Sequence, residues 1–494
     1  MTIGTLVLII GIVALVLTLV VGLVFRAQKS WLMSFLQNFC GALFVFSGWV
    51  KAIDPLGTAY KMEQYFAEFE ALFQGTWFSF LSPLFPWLSG FSVGFSVFMI
   101  VFEIALGIML IIGARPKFTS WAFFLLVGFF TILTGFTYLT GYVPTEATFF
   151  EFSKWVPFQE TNMKVTDCGC FGDFIKLQPR TSFFKDIVLL FPAFFFLWKP
   201  SKMHQLFSAF ARGVIVVLGV VGLTLYCMSN YVWDLPHTDF RPFKEGVDVA
   251  ERKALESEAL DNVEILFYRM TNKTTGEVVE LPYEQYLQEF KQYPKEEWTL
   301  EQIKTEPAIP QTKISDFEIQ DIDGNDVTDD ILLQEGYHFL IVAHKIPDEI
   351  ELQTQTVYDT TFIVDTVMLT ELDSIVYVKR VGDVSSTEVQ VEKYLFPDYY
   401  TRRYSEVVNP VMEAAQAAGI PVLAVTSIAD PAKIDDFRHA TQSAYPFHLA
   451  DDILLKTIIR SNPGIVLWKD GTVVKKWHYK QLPSFEQIEA AYLK

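Results

Sequence analysis

The chain has 494 residues, 51% of them hydrophobic, and a formal net charge of −18. This composition is too apolar for an ordinary soluble enzyme, and four cysteines at this length do not make a disulfide-rich secreted scaffold. The acidic excess argues against nucleic acid as a partner, because that partner needs a basic face.

The charges are divided unevenly along the chain. Residues 1–232 contain 14 lysines and arginines against 11 aspartates and glutamates, whereas the remainder contains 25 against 46. We therefore predict an α-helical membrane bundle followed by an acidic half that faces water. A surplus of negative charge of this size helps to keep such a half soluble.

Six apolar runs predict membrane-spanning helices, since one span needs about 20 apolar residues. They cover residues 4–25, 31–50, 90–113, 118–141, 183–198 and 213–232. Lys and Arg cluster after the first run, between the third and fourth, and between the fifth and sixth. Because cytoplasmic loops carry an excess of these residues, we expect these three loops in the cytoplasm and everything after about residue 233 outside.

Polar and small residues inside the spans carry further predictions. Glu103 lies in the middle of the third run, where a carboxylate is costly and usually faces a partner or a cavity. It is either a proton or quinone site or a protonated carboxyl bonded to a neighbouring helix. Gly90 and Gly94 have the spacing of closely packed membrane helices. Four threonines of the fourth span predict hydrogen bonds within or between helices: Thr131, Thr134, Thr137 and Thr140.

A polar loop between the fourth and fifth spans reads Asp167-Cys-Gly-Cys-Phe-Gly-Asp173. Its thiols, Cys168 and Cys170, could form a strained disulfide, bind a soft metal or exchange with a partner's disulfide. A static pair that shapes the loop is the alternative. Cys227 is a further candidate to meet one of them, whereas Cys40 is interpreted as a packing residue. No His/Cys array with metal-ligand spacing is present in the sequence, and we predict no metal site.

Three signals occur in a fixed order. They are G-A-L-F-V-F-S-G-W-V-K-A-I-D-P from Gly41 to Pro55, the span with Glu103 and Gly107, and the Cys168–Cys170 loop followed by Phe184-Lys-Asp186. In this order they resemble the DoxX-like membrane family, and in particular its methylamine-utilisation branch, MauE. The Cys-Gly-Cys element is the specific part of the resemblance.

The resemblance covers about residues 31–200 and implies a four-helix membrane core, to which residues 1–30 and 201–233 each add a helix. DoxX relatives are linked to quinone-coupled sulfur oxidation, and MauE to the maturation of an exported, disulfide-rich enzyme alongside a thioredoxin-like partner. The resemblance thus implies a bacterial inner-membrane protein with a redox pair at Cys168 and Cys170. A quinone is the electron acceptor that it suggests.

The outer half divides at about residue 313. Residues 234–312 predict an acidic linker that contains a β-hairpin at 263–281. From residue 313 to 494 strands and helices alternate, which predicts an α/β domain. We expect this domain in the periplasm, in accordance with the distribution of basic residues among the loops.

The α/β segment resembles thioredoxin-like proteins at Pro463, which precedes a strand and an Asp-Gly turn and matches their cis-proline. Those proteins carry Cys-x-x-Cys after the strand that here ends at His344. This chain has instead an insertion at about residues 346–403 and no cysteine after Cys227, so the domain cannot exchange dithiols. We interpret His344 as structural. Four aromatic residues mark the expected contact surface for a partner: Tyr394, Phe396, Tyr399 and Tyr400.

Two functional hypotheses follow. In the first, the protein is a membrane thiol oxidoreductase whose outer domain recruits exported client proteins. In the second, it is a non-enzymatic scaffold or assembly factor with a structural cysteine pair. A solute transporter is disfavoured, because no inverted repeat or pair of broken helices is visible.

Overall fold

The computed structural model describes residues 2–144, 147–165, 167–369 and 374–493. It divides into two compact units, Met1–Lys244 with Ala254–Ser315 and Glu245–Lys253 with Asp316–Lys494. The first contains the apolar helices and a small antiparallel sheet. The second contains a mixed sheet with helices around it.

Within the described residues, eight α-helices make up the membrane part of the first unit. They are α1 (Ile3–Leu19), α2 (Trp31–Ile53), α3 (Pro55–Phe73), α4 (Leu84–Ser89), α5 (Ser92–Ile112), α6 (Pro116–Thr140), α7 (Pro179–Trp198) and α8 (Ala209–Met228). Among the described residues six helices are long and apolar enough to cross a membrane, namely α1, α2, α5, α6, α7 and α8. This confirms the predicted helical membrane region, and the chain is a multi-pass membrane protein.

The ends of these helices follow from local sequence. Asp54 ends α2 and caps α3, its carboxylate accepting a hydrogen bond from the Gly57 amide at 3.0 Å, and Pro55 takes the first helical position. Gly113 ends α5 with φ at +66°, the left-handed conformation that glycine adopts without strain. These breaks separate α2 from α3 and α5 from α6 without long connections.

The three loops rich in Lys and Arg meet at one end of the helices. The Lys29 ammonium donates to the Ser201 carbonyl at 3.1 Å, and the Leu206 amide donates to the Ile112 carbonyl at 2.9 Å. The opposite end holds residues 167–173, whose Cys170 carbonyl accepts from the Ser47 hydroxyl at 2.9 Å. The helices therefore alternate in direction as a multi-pass chain requires.

Glycines bring α2 and α5 into close backbone contact, but they are not the predicted ones. A methyl group added at Gly107 would lie 2.7 Å from the Gly41 carbonyl oxygen, and one added at Gly41 would lie 2.8 Å from the Gly107 carbonyl oxygen. A methyl group at Gly94 would meet no atom within 4 Å. The prediction that Gly90 and Gly94 mark close helix packing is therefore wrong. The spacing occurs at the start of α5, away from the place where the backbones approach.

Gly107→Ala is expected to lower the stability of the membrane unit by about 1–3 kcal/mol, because the new methyl group would meet the backbone of Gly41 and both the backbone and the side chain of Val45 within 3 Å. Gly94→Ala in the same helix is the matched control and should leave stability unchanged or slightly raised. The measurement is thermal unfolding of both variants in one detergent. Equal midpoints for the two would contradict the contact between α2 and α5.

The first unit also holds a three-stranded antiparallel sheet. Strand β1 (Ile265–Asn272) lies between β2 (Val278–Pro282) and β3 (Trp298–Lys304). The predicted hairpin at 263–281 is confirmed by the pairing of β1 with β2. The expected linker is more ordered than predicted, since α9 (Val249–Asp261), α10 (Tyr283–Glu289) and β3 interrupt it. Side chains of Tyr268, Met270 and Leu281 form the small core.

The second unit has a five-stranded mixed sheet, which confirms the predicted α/β domain. In chain order its elements are α11 (Thr328–Leu332), β4 (Tyr337–Ala343), β5 (Glu349–Leu369), β6 (Ser374–Leu395), α12 (Asp398–Arg402), α13 (Asn409–Ala417), β7 (Val422–Thr426), α14 (Pro431–Thr441), β8 (Phe447–Leu449), α15 (Asp452–Ile458), β9 (Gly464–Lys469), β10 (Thr472–His478) and α16 (Phe485–Tyr492). The sheet order is β10-β9-β4-β7-β8. Strands β4, β7 and β8 pair in parallel. Strand β9 pairs antiparallel with β4, and β10 pairs antiparallel with β9.

The described part of the insertion consists mainly of two paired antiparallel strands, β5 and β6. Its aromatic residues do not form one contact surface as expected. Tyr400 is 1% exposed and packs with Phe437 of α14, and Phe396 packs on the same ring at 5.1 Å. Only Tyr399 is largely exposed among the residues of this group that follow β6. The prediction is wrong for Tyr400, which is buried in the domain core. Phe396 is half-buried and packs against the same core ring.

Candidate functional site

The Cys168–Cys170 loop is a tight turn built on two glycines. Gly169 and Gly172 have φ values of +60° and +52°, and the Gly172 amide donates to the Gly169 carbonyl at 3.1 Å. The Gly169 amide also donates to the Asp167 carboxylate at 3.0 Å. Positive φ is costly for residues with a side chain, so the sequence between the cysteines is restricted to glycine.

Three contacts fix this turn on the helices. The Lys61 ammonium of α3 pairs with the Asp167 carboxylate at 3.1 Å, and the Ser47 hydroxyl of α2 donates to the Cys170 carbonyl at 2.9 Å. Phe171 is buried and contributes to the core of the membrane unit. The loop is therefore held by α3 through Lys61, by α2 through Ser47 and by the burial of Phe171.

All four cysteines are free thiols in the structure. Cys168 is buried, and burial raises its pKa to about 12. Cys170 is partly exposed; desolvation raises its pKa, while the Lys185 ammonium opposes the rise. Cys40 packs in the core of the helices, as expected, and Cys227 packs with Ile100 and Ile104 of α5.

Glu103 is buried and forms an ion pair with Lys51 of α2. The Glu103 and Lys51 side chains are only 3% and 8% exposed. Glu103 is therefore bonded to a neighbouring helix, as one alternative expected, and its partner there is a cation. Sequence reasoning missed Lys51, which was interpreted as the end of the second span. The signal was available, because a carboxylate in the middle of a span requires a compensating group at similar depth.

A second buried pair lies on α7. The Lys185 ammonium is 2.8 Å from the Asp186 carboxylate, whose other oxygen accepts a hydrogen bond from the Thr134 hydroxyl at 3.0 Å. Asp186 is 2% exposed. Lys185 and Asp186 entered the sequence analysis only through the family resemblance, and no role was predicted for them.

The two pairs belong to one group of side chains, which we call the charge cluster: Lys51, Glu103, Thr134, Lys185 and Asp186. The Lys51 nitrogen lies 5.5 Å from the centre of the Phe130 ring. Phe130 is one helical turn before Thr134 on α6. Lys185 lies over the ring of Phe171, with its nitrogen 5.7 Å from the ring centre. The charge cluster is thus in contact with the cysteine loop through Phe171, and Glu103 is one of the charges that act on Lys185.

The threonines of α6 make the predicted hydrogen bonds. Thr131 bonds to its own helix, while Thr134 and Thr137 bond both within α6 and to other elements. The Thr137 hydroxyl is 2.9 Å from the Tyr65 hydroxyl of α3. Burial and the two nearby thiols raise the pKa of Tyr65, so its hydroxyl is neutral beside the loop.

The second unit places its predicted residues around Asn462. The Asn462–Pro463 peptide bond is cis, as predicted. The Tyr400 hydroxyl donates to the Asn462 side-chain oxygen at 3.1 Å, and the Asn462 amide donates to the Lys345 carbonyl at 2.6 Å. His344 lies beside them; burial, with Lys456 and other cations nearby, lowers its pKa to about 3. The imidazole is therefore uncharged at neutral pH.

Comparisons with known proteins do not assign this chain to a family. No family model matches it, and neither the curated proteins nor the solved structures contain a significant match. Within the described ranges no group of three or more His, Cys, Asp or Glu side chains is placed to hold a metal ion.

Proposed function

We propose that the protein is a DoxX-like membrane protein of the MauE type that supports thiol–disulfide exchange during the maturation of exported proteins. The observation that carries the proposal is the turn at Cys168 and Cys170. It offers one partly exposed thiol, is fixed by Ser47 and Lys61, and contacts a charge cluster buried among the spans. Ionisable groups inside a membrane are rare and usually functional.

The proposed chemistry is an exchange between two cysteine pairs. The reduced loop gives two electrons and two protons to a disulfide in a partner, and the oxidised loop takes them from a partner dithiol. The resemblance suggests a quinone as acceptor. Among the described residues Glu103, the acid considered for that role, is paired with Lys51. The proposal therefore contains no quinone step.

The second unit is proposed to be a thioredoxin-like domain that binds the client. Parallel β4 and β7, antiparallel β9 and β10, and a cis peptide bond immediately before β9 support this assignment. The domain has no cysteine and therefore cannot take part in disulfide exchange itself. In the proposal it therefore presents the client to the loop of the membrane unit.

The proposed location is a bacterial inner membrane, with residues after about 233 in the periplasm. The grouping of the three basic loops at one end of the helices supports this orientation, because such loops stay in the cytoplasm. A reporter enzyme fused after Lys494 provides the test. Activity of a reporter that works only in the cytoplasm would contradict the proposed orientation.

The alternative is a scaffold or assembly factor in which the cysteines only shape the loop. It is favoured by one observation. The bonds from Lys61 to Asp167 and from Ser47 to the Cys170 carbonyl would hold the turn without any sulfur chemistry.

The test of exchange is Cys168→Ser with Cys170→Ser. We expect complete loss of the thiol–disulfide role, seen as failure of exported disulfide proteins to reach their native thiol state in cells. The wild-type loop should change its labelling by a membrane-impermeant maleimide between oxidising and reducing growth conditions. Cys227→Ala is the matched control and should retain function. Full activity of the double variant would establish the scaffold alternative.

A further inference from the structure

The two thiols of the loop lie in different electrostatic surroundings. The charges that act on Cys168 come from Asp167, Asp186 and the neighbouring thiol of Cys170, all of them negative when ionised. Cys170 is faced by two cations, Lys185 and Lys51, as well as by Asp186. Cys170 is also the more exposed of the two. Of the two, Cys170 therefore combines partial exposure with nearby positive charge.

The geometry places Lys185 beside the residue that follows Cys170. Its ammonium is 2.8 Å from the Asp186 carboxylate and lies over the ring of Phe171, the residue that follows Cys170. The Cys170 carbonyl is fixed by Ser47, one helical turn before Lys51 on α2. The thiol and the ammonium thus belong to two segments that are both anchored, and neither depends on a mobile side chain at the surface.

We propose that Cys170 is the thiol that attacks a partner disulfide, and that Lys185 is the positioning residue that stabilises its thiolate. Cys168 is then the thiol that resolves the mixed disulfide. This inference rests on the proposed thiol–disulfide exchange and adds an order to its steps. An attacking thiol must be ionised and accessible, whereas a resolving thiol needs only to be adjacent.

The steps balance as follows. The Cys170 thiol loses its proton, and the thiolate bonds to one sulfur of the partner disulfide while the other sulfur leaves as a thiolate and takes up a proton. Cys168 then loses its proton and attacks the Cys170 sulfur, which releases the second partner sulfur as a thiolate. The loop ends as a Cys168–Cys170 disulfide, oxidised by two electrons, and the partner ends as a dithiol.

Every titratable group around Cys170 must be counted before the sign of a substitution is predicted. They are Lys185 and Asp186 on α7, Lys51 on α2, Glu103 on α5, Lys61 and Tyr65 on α3, and Cys168 with Asp167 in the loop. Lys51 is already paired with Glu103. Removing the charge of Lys185 therefore leaves Asp186 as the uncompensated neighbour, and the Cys170 thiolate becomes harder to form.

The experiment measures the rate of iodoacetamide alkylation against pH in the full-length protein in detergent. Cys170 is isolated by Cys168→Ser and Cys168 by Cys170→Ser, while mass spectrometry reports the peptides of Cys40 and Cys227 separately. In the first background, Lys185→Gln is expected to slow alkylation about tenfold at pH 7.5 and to raise the pH midpoint by about one unit, since an opposite charge within a few ångströms shifts a pKa by about 1–3 units. Lys185→Arg should stay within about twofold of the parent.

Lys61→Gln is the matched comparison, because Lys61 touches the same loop through its pair with Asp167. The Cys170 midpoint should rise less in Lys61→Gln than in Lys185→Gln. An unshifted midpoint in Lys185→Gln overturns the inference, and so does a lower midpoint for Cys168 than for Cys170. The comparison of the Cys168 and Cys170 midpoints keeps Lys185 in place, so it tests the inference even if Lys185→Gln does not fold. Full activity of the double cysteine variant overturns the exchange itself, whatever the midpoints are.

Discussion

Lys51→Met is expected to destabilise the membrane unit by about 3–5 kcal/mol, because it leaves the Glu103 carboxylate buried without its cation. Both side chains are almost fully buried, so water cannot replace the lost partner. The measurement is chemical or thermal unfolding of the purified protein in detergent. Lys61→Met is the control: its pair with Asp167 is 20% and 28% exposed, and exposed pairs contribute about 0–1 kcal/mol.

Adding Glu103→Gln to Lys51→Met should recover most of the lost stability. Replacing both partners of a buried ion pair by uncharged groups is often close to neutral, whereas removing one partner is not. The double-mutant cycle measures the interaction directly. If the losses of stability from Lys51→Met and Glu103→Gln simply add in the double variant, the two side chains do not interact. That result would contradict the Lys51–Glu103 ion pair.

The organisation of the chain could be predicted because its signals are local. Apolar runs of about 20 residues predict spans without reference to the rest of the fold, and the alternation of strands and helices predicted the α/β domain. The cis peptide bond at Pro463 was predicted through the resemblance to thioredoxin-like proteins, whose cis-proline also precedes a strand. The strand β3 was missed because its pairing with β1 joins segments that are distant in the sequence.

The charge cluster could not be predicted in the same way. Glu103 was recognised because a lone carboxylate in an apolar run is conspicuous. Lys51 was not, since a Lys near the end of a run normally reaches the membrane surface. Its pairing with Glu103 depends on the register of α2 against α5, which the approach of Gly41 to Gly107 sets. The Gly90–Gly94 spacing gave a wrong prediction, because a glycine spacing alone does not say at which depth of the membrane the residues lie or which helix they face.

The second unit is expected to lose stability as the pH falls, and His338 is a main cause. His338 lies on the central strand β4 with no exposed surface, its ring 6.2 Å from that of Trp468, and neither ring nitrogen has a hydrogen-bond partner among the described residues. Burial lowers its pKa to about 4, from the ordinary value of 6.5. Between these values the unfolded chain binds a proton that the folded domain does not.

The sign follows from this difference. The stability that His338 contributes is fully present above pH 6.5 and is lost as the pH falls towards 4, at about 1.4 kcal/mol per pH unit. Going from pH 6.5 to pH 5 therefore costs about 2 kcal/mol through this residue. His344, whose pKa is lowered to about 3, acts in the same direction, so His338→Leu should remove only part of the pH dependence.

The measurement is amide hydrogen exchange of β4 in the full-length protein at pH 7 and pH 5, corrected for the intrinsic exchange rate at each pH. In the wild type we expect the opening of Tyr337–Ala343 to become at least about tenfold more populated at pH 5, and in His338→Leu the increase should be clearly smaller. His439→Gln is the control, since His439 is 78% exposed at the surface of α14. An identical increase in His338→Leu and the wild type would mean that His338 is not the group that resists protonation in the folded domain.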